Sequence, residues 1–75
     1  MSYGYSLRLV ERNSRADVRD LGVQLGRACI NHDVPVAVVA TAFGVSRQTI
    51  YNWFIGGTSP GESYHDLIRT YISQL

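Results

Sequence analysis

Apolar and polar positions change period several times along this 75-residue chain, and each change marks a boundary. Over residues 14–31, Val18, Leu21, Leu25, Ala28 and Cys29 recur at helical spacing, which predicts a helix with one apolar face. Ser14, followed three residues later by Asp17, resembles a capping box and would start that helix, and Asn31-His32-Asp33 would end it. Pro35 opens the next helix, in the first turn where a missing N–H is harmless. Residues 36–43 are almost wholly apolar. The β-branched run at 36–39 also suits a strand, but the Ala-Thr-Ala-Phe continuation and the stop at Gly44 favour a helix. Val39, Ala40 and Phe43 are expected inside it. Val36, Ala37 and Val38 are expected to be partly exposed, or covered by the N-terminal arm or a second subunit.

Gly44 suits a left-handed turn. Val45 should then drop into the core, with Ser46 as N-cap of a third helix whose inner face is Ile50, Trp53 and Phe54. Gly56-Gly57 ends that helix, and residues 58–61 form a loop. A final helix, from 62 or 63 to 75, carries Leu67, Ile68, Tyr71, Ile72 and Leu75 as its apolar stripe. Residues 1–13 show a looser period of two, with Tyr3, Tyr5, Leu7, Leu9 and Glu11 on one parity. They read as an extended arm or a short strand. A strand here would need a copy of itself in a dimer to complete a ladder. The division is thus an arm at 1–13 and a domain at 14–75. The fold class is all-α, a small bundle of four to five helices containing a helix-turn-helix.

Length allows one small core, which buries only about 60% of the surface of the unfolded chain. One Cys excludes an internal disulfide and cannot hold a zinc ion alone, and Cys29 reads as a buried thiol. No apolar run reaches the length of a membrane span and no signal-peptide core is visible, so the expectation is an intracellular, cytoplasmic protein. Net charge is only +1, yet all seven basic residues are Arg. Arg offers a planar fork of donors suited to phosphates and base edges. A compositional bias explains the count equally well, so the decision rests on the motif.

With Ile50 and Trp53 inside, Arg47, Gln48, Thr49, Tyr51 and Asn52 must point outward or flank the seam. A helix fits the major groove of B-DNA, where every base pair shows its own donors and acceptors. Gln48 can pair with adenine, and Arg47 with guanine or a phosphate. Asn52 offers a second amide one turn on, Thr49 a methyl for thymine, and Tyr51 a hydroxyl for a phosphate. Ser46 and the helix start favour a phosphate oxygen. Arg8, Arg12 and Arg15 make the N-terminal segment a second source of phosphate contacts.

Residues 35–60 resemble the lambda-repressor-like (Cro-like, XRE-type) helix-turn-helix domain. The resemblance lies in Val39-Ala40, Phe43-Gly44-Val45-Ser46, Arg47-Gln48-Thr49-Ile50, Asn52-Trp53, and Gly56-Gly57 with Pro60. It implies a phage or bacterial transcription regulator of the repressor type, usually a homodimer on palindromic double-stranded DNA, touching DNA through Arg47, Gln48, Thr49 and Asn52. Pro35-Val36 stands where that family commonly opens its second helix with Thr-Gln or Ser-Gln, and Phe54 stands where an acidic residue usually follows. These departures keep two alternatives in view. One is a module that binds a protein partner such as RNA polymerase; the other is an architectural factor in DNA packaging or excision. Catalysis is not expected. Ser63-Tyr64-His65-Asp66 are successive residues that point in different directions, His32 lacks a catalytic partner, and no nucleotide, metal or cofactor signature is present.

Overall fold

The computed structural model describes residues 5–75, and these form an all-helical bundle. The helices are α1 (Leu7–Arg15), α2 (Leu21–Asn31), α3 (Val36–Phe43), α4 (Arg47–Phe54) and α5 (His65–Ser73), the last preceded by a single 3₁₀ turn at Glu62–Tyr64. Helix α2 is the central strut: α1, α4 and α5 all pack on it, while α3 packs on α4.

The first correction concerns the amino-terminal segment, where a helix stands instead of an arm or strand. Ser6 caps α1 by accepting the Leu9 N–H at 3.2 Å. Tyr5, Leu9 and Asn13 then recur every four residues, with Tyr5 and Asn13 buried. The polar Asn13 interrupts what would otherwise read as an apolar stripe, so alternation masked the helical period. Glu11 and Arg15, one turn apart on the outside, pair at 2.7 Å. Tyr3, the first residue of the alternating pattern, lies outside the described residues.

The second correction follows from the first. Ser14 lies within α1 and donates to the Glu11 carbonyl, so it caps nothing. Helix α2 starts six residues later, where the Asp20 carboxylate accepts the Gly22 N–H at 2.8 Å. Val18 falls in the link between the helices and is half exposed rather than part of the core. Leu21 and Tyr71 flank the core, half-buried, and Val45 does the same.

Leu25, Val39, Ala40, Phe43, Ile50, Trp53 and Ile68 are buried as expected, and so is Cys29. Burial pushes the Cys29 thiol up to about 12. Val36 is also buried, against expectation, because it follows Pro35 and faces inward one turn before Val39 and Ala40. Ala37 and Val38 remain exposed. Leu67 is a further correction. The inward residues here are Ile68, Tyr71 and Ile72 of α5 with Leu75 just beyond its end, and Leu67 sits one position off them, more than half exposed.

Helices α2 and α4 approach closely because Gly22 and Gly26 remove side chains from the contact. A Cβ on Gly22 would lie 2.9 Å from the Trp53 Cβ, and one on Gly26 would lie 2.8 Å from Phe54 Cγ. Phe54 is completely buried in return, a gain of about 1.5–3 kcal/mol for a side chain of this size. Trp53 meets Phe43 and Tyr64 edge-on, at centroid distances of 6.1 and 5.1 Å. No helix among the described residues is long and apolar enough to cross a membrane.

Candidate nucleic-acid interface

The turn between α3 and α4 follows from local chemistry. Gly44 takes the left-handed conformation (φ 66°, ψ 33°). Its N–H donates to Thr41 O, and the Val45 N–H reaches back to Ala40 O at 3.0 Å, the bond pattern of a Schellman motif. A Cβ at Gly44 would meet nothing within 4 Å, so the backbone angle alone requires glycine. Ser46 then accepts the Thr49 N–H at 3.1 Å and starts α4. Ile50, Trp53 and Phe54 turn inward, and the opposite side of the helix is left to polar residues.

On that side, Arg47, Gln48 and Tyr51 are exposed, and Thr49 and Asn52 half-buried. Ser46 and Thr49 share a hydroxyl–hydroxyl bond of 3.0 Å, so both are committed largely to the helix start. Gln48 Nε2 donates to Asn52 Oδ1 at 3.3 Å, which ties the two amides into one unit.

A groove of about 470 Å³ runs between α1 and α4. It is lined by Ser6, Arg8, Leu9 and Arg12 at α1 and by Gln48, Tyr51, Asn52 and Ile55 at α4. The structure thus brings together five of the residues singled out from sequence, from segments some forty positions apart. Arg47, Thr49 and Ser46 lie on α4 or at its cap, outside the groove lining. Ser6, Leu9 and Ile55 were missed. The signal for Ser6 and Leu9 was the cap-to-N3 spacing of a helix start, obscured by the alternating pattern.

The electrostatics of this side are lopsided. Arg15, Arg19 and Arg69 pair with Glu11, Asp17 and Asp66, and Arg27 donates to the carbonyls of Asn13 and Ser14. Among the described residues, Arg8, Arg12 and Arg47 have no carboxylate partner, and all three sit on α1 or α4. No acidic residue lines the groove. The small net charge therefore conceals a concentration of unpaired guanidinium groups beside the polar face of α4.

Elsewhere, His65 Nε2 lies 3.2 Å from the Pro60 carbonyl, and His32 caps the end of α2. His65 shares a surface groove with Asp20 and with Ser59, whose hydroxyl donates to Asp20 Oδ2. The described residues contain no group of three or more His, Cys, Asp or Glu placed to hold a metal ion. No protein-family model, no curated protein and no solved structure matches the chain.

Proposed function

We propose that this protein is a sequence-specific DNA-binding regulator that lays α4 in the major groove and grips the adjacent backbone with α1. The observation that carries this reading is the convergence of Arg8 and Arg12 with Gln48, Tyr51 and Asn52 on one groove free of carboxylates. In this arrangement Gln48 and Asn52 meet base edges, Arg47 meets a base or phosphate at the helix start, and Arg8, Arg12 and Tyr51 hold phosphates. Repression from a palindromic site by a homodimer belongs to the same proposal.

A second reading, docking of a protein partner such as RNA polymerase, draws support from a different surface. Ala37, Val38, Thr41 and Ala42 form an exposed strip on α3, where the Thr41 hydroxyl is already bonded to Ala37 O at 3.0 Å. That strip carries no charge for DNA.

Fluorescence anisotropy with random-sequence duplex DNA across a salt series separates the two. DNA binding requires affinity that falls with salt, with a log–log slope of about −0.9 for each phosphate contacted. Absence of binding at low salt would sink the proposal and promote the second reading.

A further inference from the structure

Helix α1 packs on α2 and leaves a groove between itself and α4, so something must set the width of that groove. Asn13 is the buried polar side chain on α1, only 2% exposed. Its Nδ2 donates to the Phe54 carbonyl at 2.6 Å and to the Val23 carbonyl at 3.2 Å. Phe54 is the last residue of α4, and carbonyls at a helix end have no N–H ahead of them within the helix. A side chain of α1 therefore caps the end of α4.

The seat for this amide exists because position 26 is glycine: a Cβ there would lie 2.7 Å from Asn13 Nδ2. Arg27 on α2 extends the chain of bonds, since its guanidinium donates to the Asn13 carbonyl at 3.1 Å and so holds the end of α1 in turn. Asn13 lies one residue beyond Arg12 and one turn beyond Leu9, both on the groove.

Building on the proposed DNA-binding function, we infer that Asn13 is a positioning residue: it fixes α1 against the end of α4, so that Arg8 and Arg12 reach the DNA backbone while Gln48 and Asn52 reach the bases. It touches no DNA itself. Its removal takes away the phosphate contacts of α1 and leaves the base preference of α4 in place.

The test is the salt dependence of duplex binding by the full chain, measured for Asn13→Ala at a temperature where circular dichroism shows it folded. The expected result is a log–log slope shallower by about 1.8, the loss of two phosphate contacts. The Arg8→Ala/Arg12→Ala double variant should show the same loss, and Asn13→Ala should add no further change in that background. Preference among duplexes differing at single base pairs should match wild type.

Should Asn13→Ala fail to fold, Arg27→Met decides the matter. Its slope must be shallower in the parent and unchanged in the Arg8→Ala/Arg12→Ala background. A folded Asn13→Ala with the wild-type slope overturns the inference, as does an Arg27→Met effect that persists without Arg8 and Arg12. A wild-type chain that binds no duplex refutes the DNA-binding function itself, a result distinct from either.

Discussion

Gln48 and Asn52, one turn apart on α4, are joined side chain to side chain through Gln48 Nε2 and Asn52 Oδ1 at 3.3 Å. The bond leaves the Gln48 carbonyl oxygen to accept and the Asn52 amino group to donate, the two roles that the N6 and N7 edge of adenine calls for. Under the proposed function, Gln48→Ala should relax preference at one base pair, at a cost of about 1–3 kcal/mol in discrimination. Asn52→Ala should remove part of the same preference, and the double variant should lose less than the sum. Competition among duplexes with single base changes measures this. Additive losses at two different base pairs would show that the amides read separately.

The unpaired and paired arginines should behave differently. Arg8→Ala and Arg12→Ala are each expected to weaken binding to every duplex alike and to reduce the salt slope by about 0.9. Arg15→Ala and Arg69→Ala remove guanidinium groups already held by carboxylates on the surface, and both affinity and slope should stay near wild type. Equal effects from all four would mean that general charge attracts the DNA, with no role for the groove.

Gly26→Ala tests the helix contact. Alanine favours a helix by about 1 kcal/mol over glycine, but the added methyl would meet Asn13 Nδ2 at 2.7 Å and Phe54 Cβ at 2.9 Å. Overpacking of this kind costs about 1–3 kcal/mol, so urea denaturation should show a net loss of stability. A stabilised variant would mean that α2 and α4 are less closely apposed.

How far the fold could be read in advance depended on whether polar residues kept to the surface. Helix α3, its Gly44 stop and the Ser46 cap were legible because each rests on a local rule: apolar content, positive φ, a hydroxyl at the N-cap. Helix α1 was not legible, because its inward face includes Asn13, whose partners at Val23 and Phe54 lie 10 and 41 positions away. A side chain whose burial depends on distant carbonyls cannot be distinguished from a surface residue by spacing. The same blindness shifted the start of α2 and put Val18 in the core. On the site, the outward face of α4 followed from Ile50 and Trp53, whereas its meeting with Arg8 and Arg12 required the tertiary path of α1.

Tyr5 and Cys29 make stability sensitive to alkali. Burial is the main cause that raises the Tyr5 phenol above its ordinary value of 10.0, and burial raises the Cys29 thiol from 9.0 to about 12. A folded-state pKa raised above the unfolded one means that the unfolded chain releases its proton first. The contribution of each group is therefore complete below its unfolded pKa and lost as pH rises through the folded value. Stability should hold up to about pH 9 and decline above it. Cys29→Ala should delay the onset of that decline, and Tyr5→Phe should flatten its upper part while losing about 1 kcal/mol at neutral pH with the hydrogen bond to Val34. Thermal melts from pH 7 to 11 test this; an onset that neither substitution moves would contradict it.

Leu67 and Ile68 are neighbours with opposite surroundings, one 56% and the other 0% exposed. Ile68→Ala should cost about 2–5 kcal/mol, and Leu67→Ser less than about 0.5 kcal/mol. A large effect at Leu67 in a concentration-dependent melt would reveal a self-association surface on α5.

A molecule with a formal charge of only +1 should be held feebly by an anionic resin if its charges were evenly spread. Here Arg8 and Arg12, which have no carboxylate partner among the described residues, line one groove. The protein should adhere to such a resin in a preferred orientation and elute later than its overall balance suggests. Near a polyanion it should also arrive with that groove leading, so that its encounter rate outruns what its total charge implies.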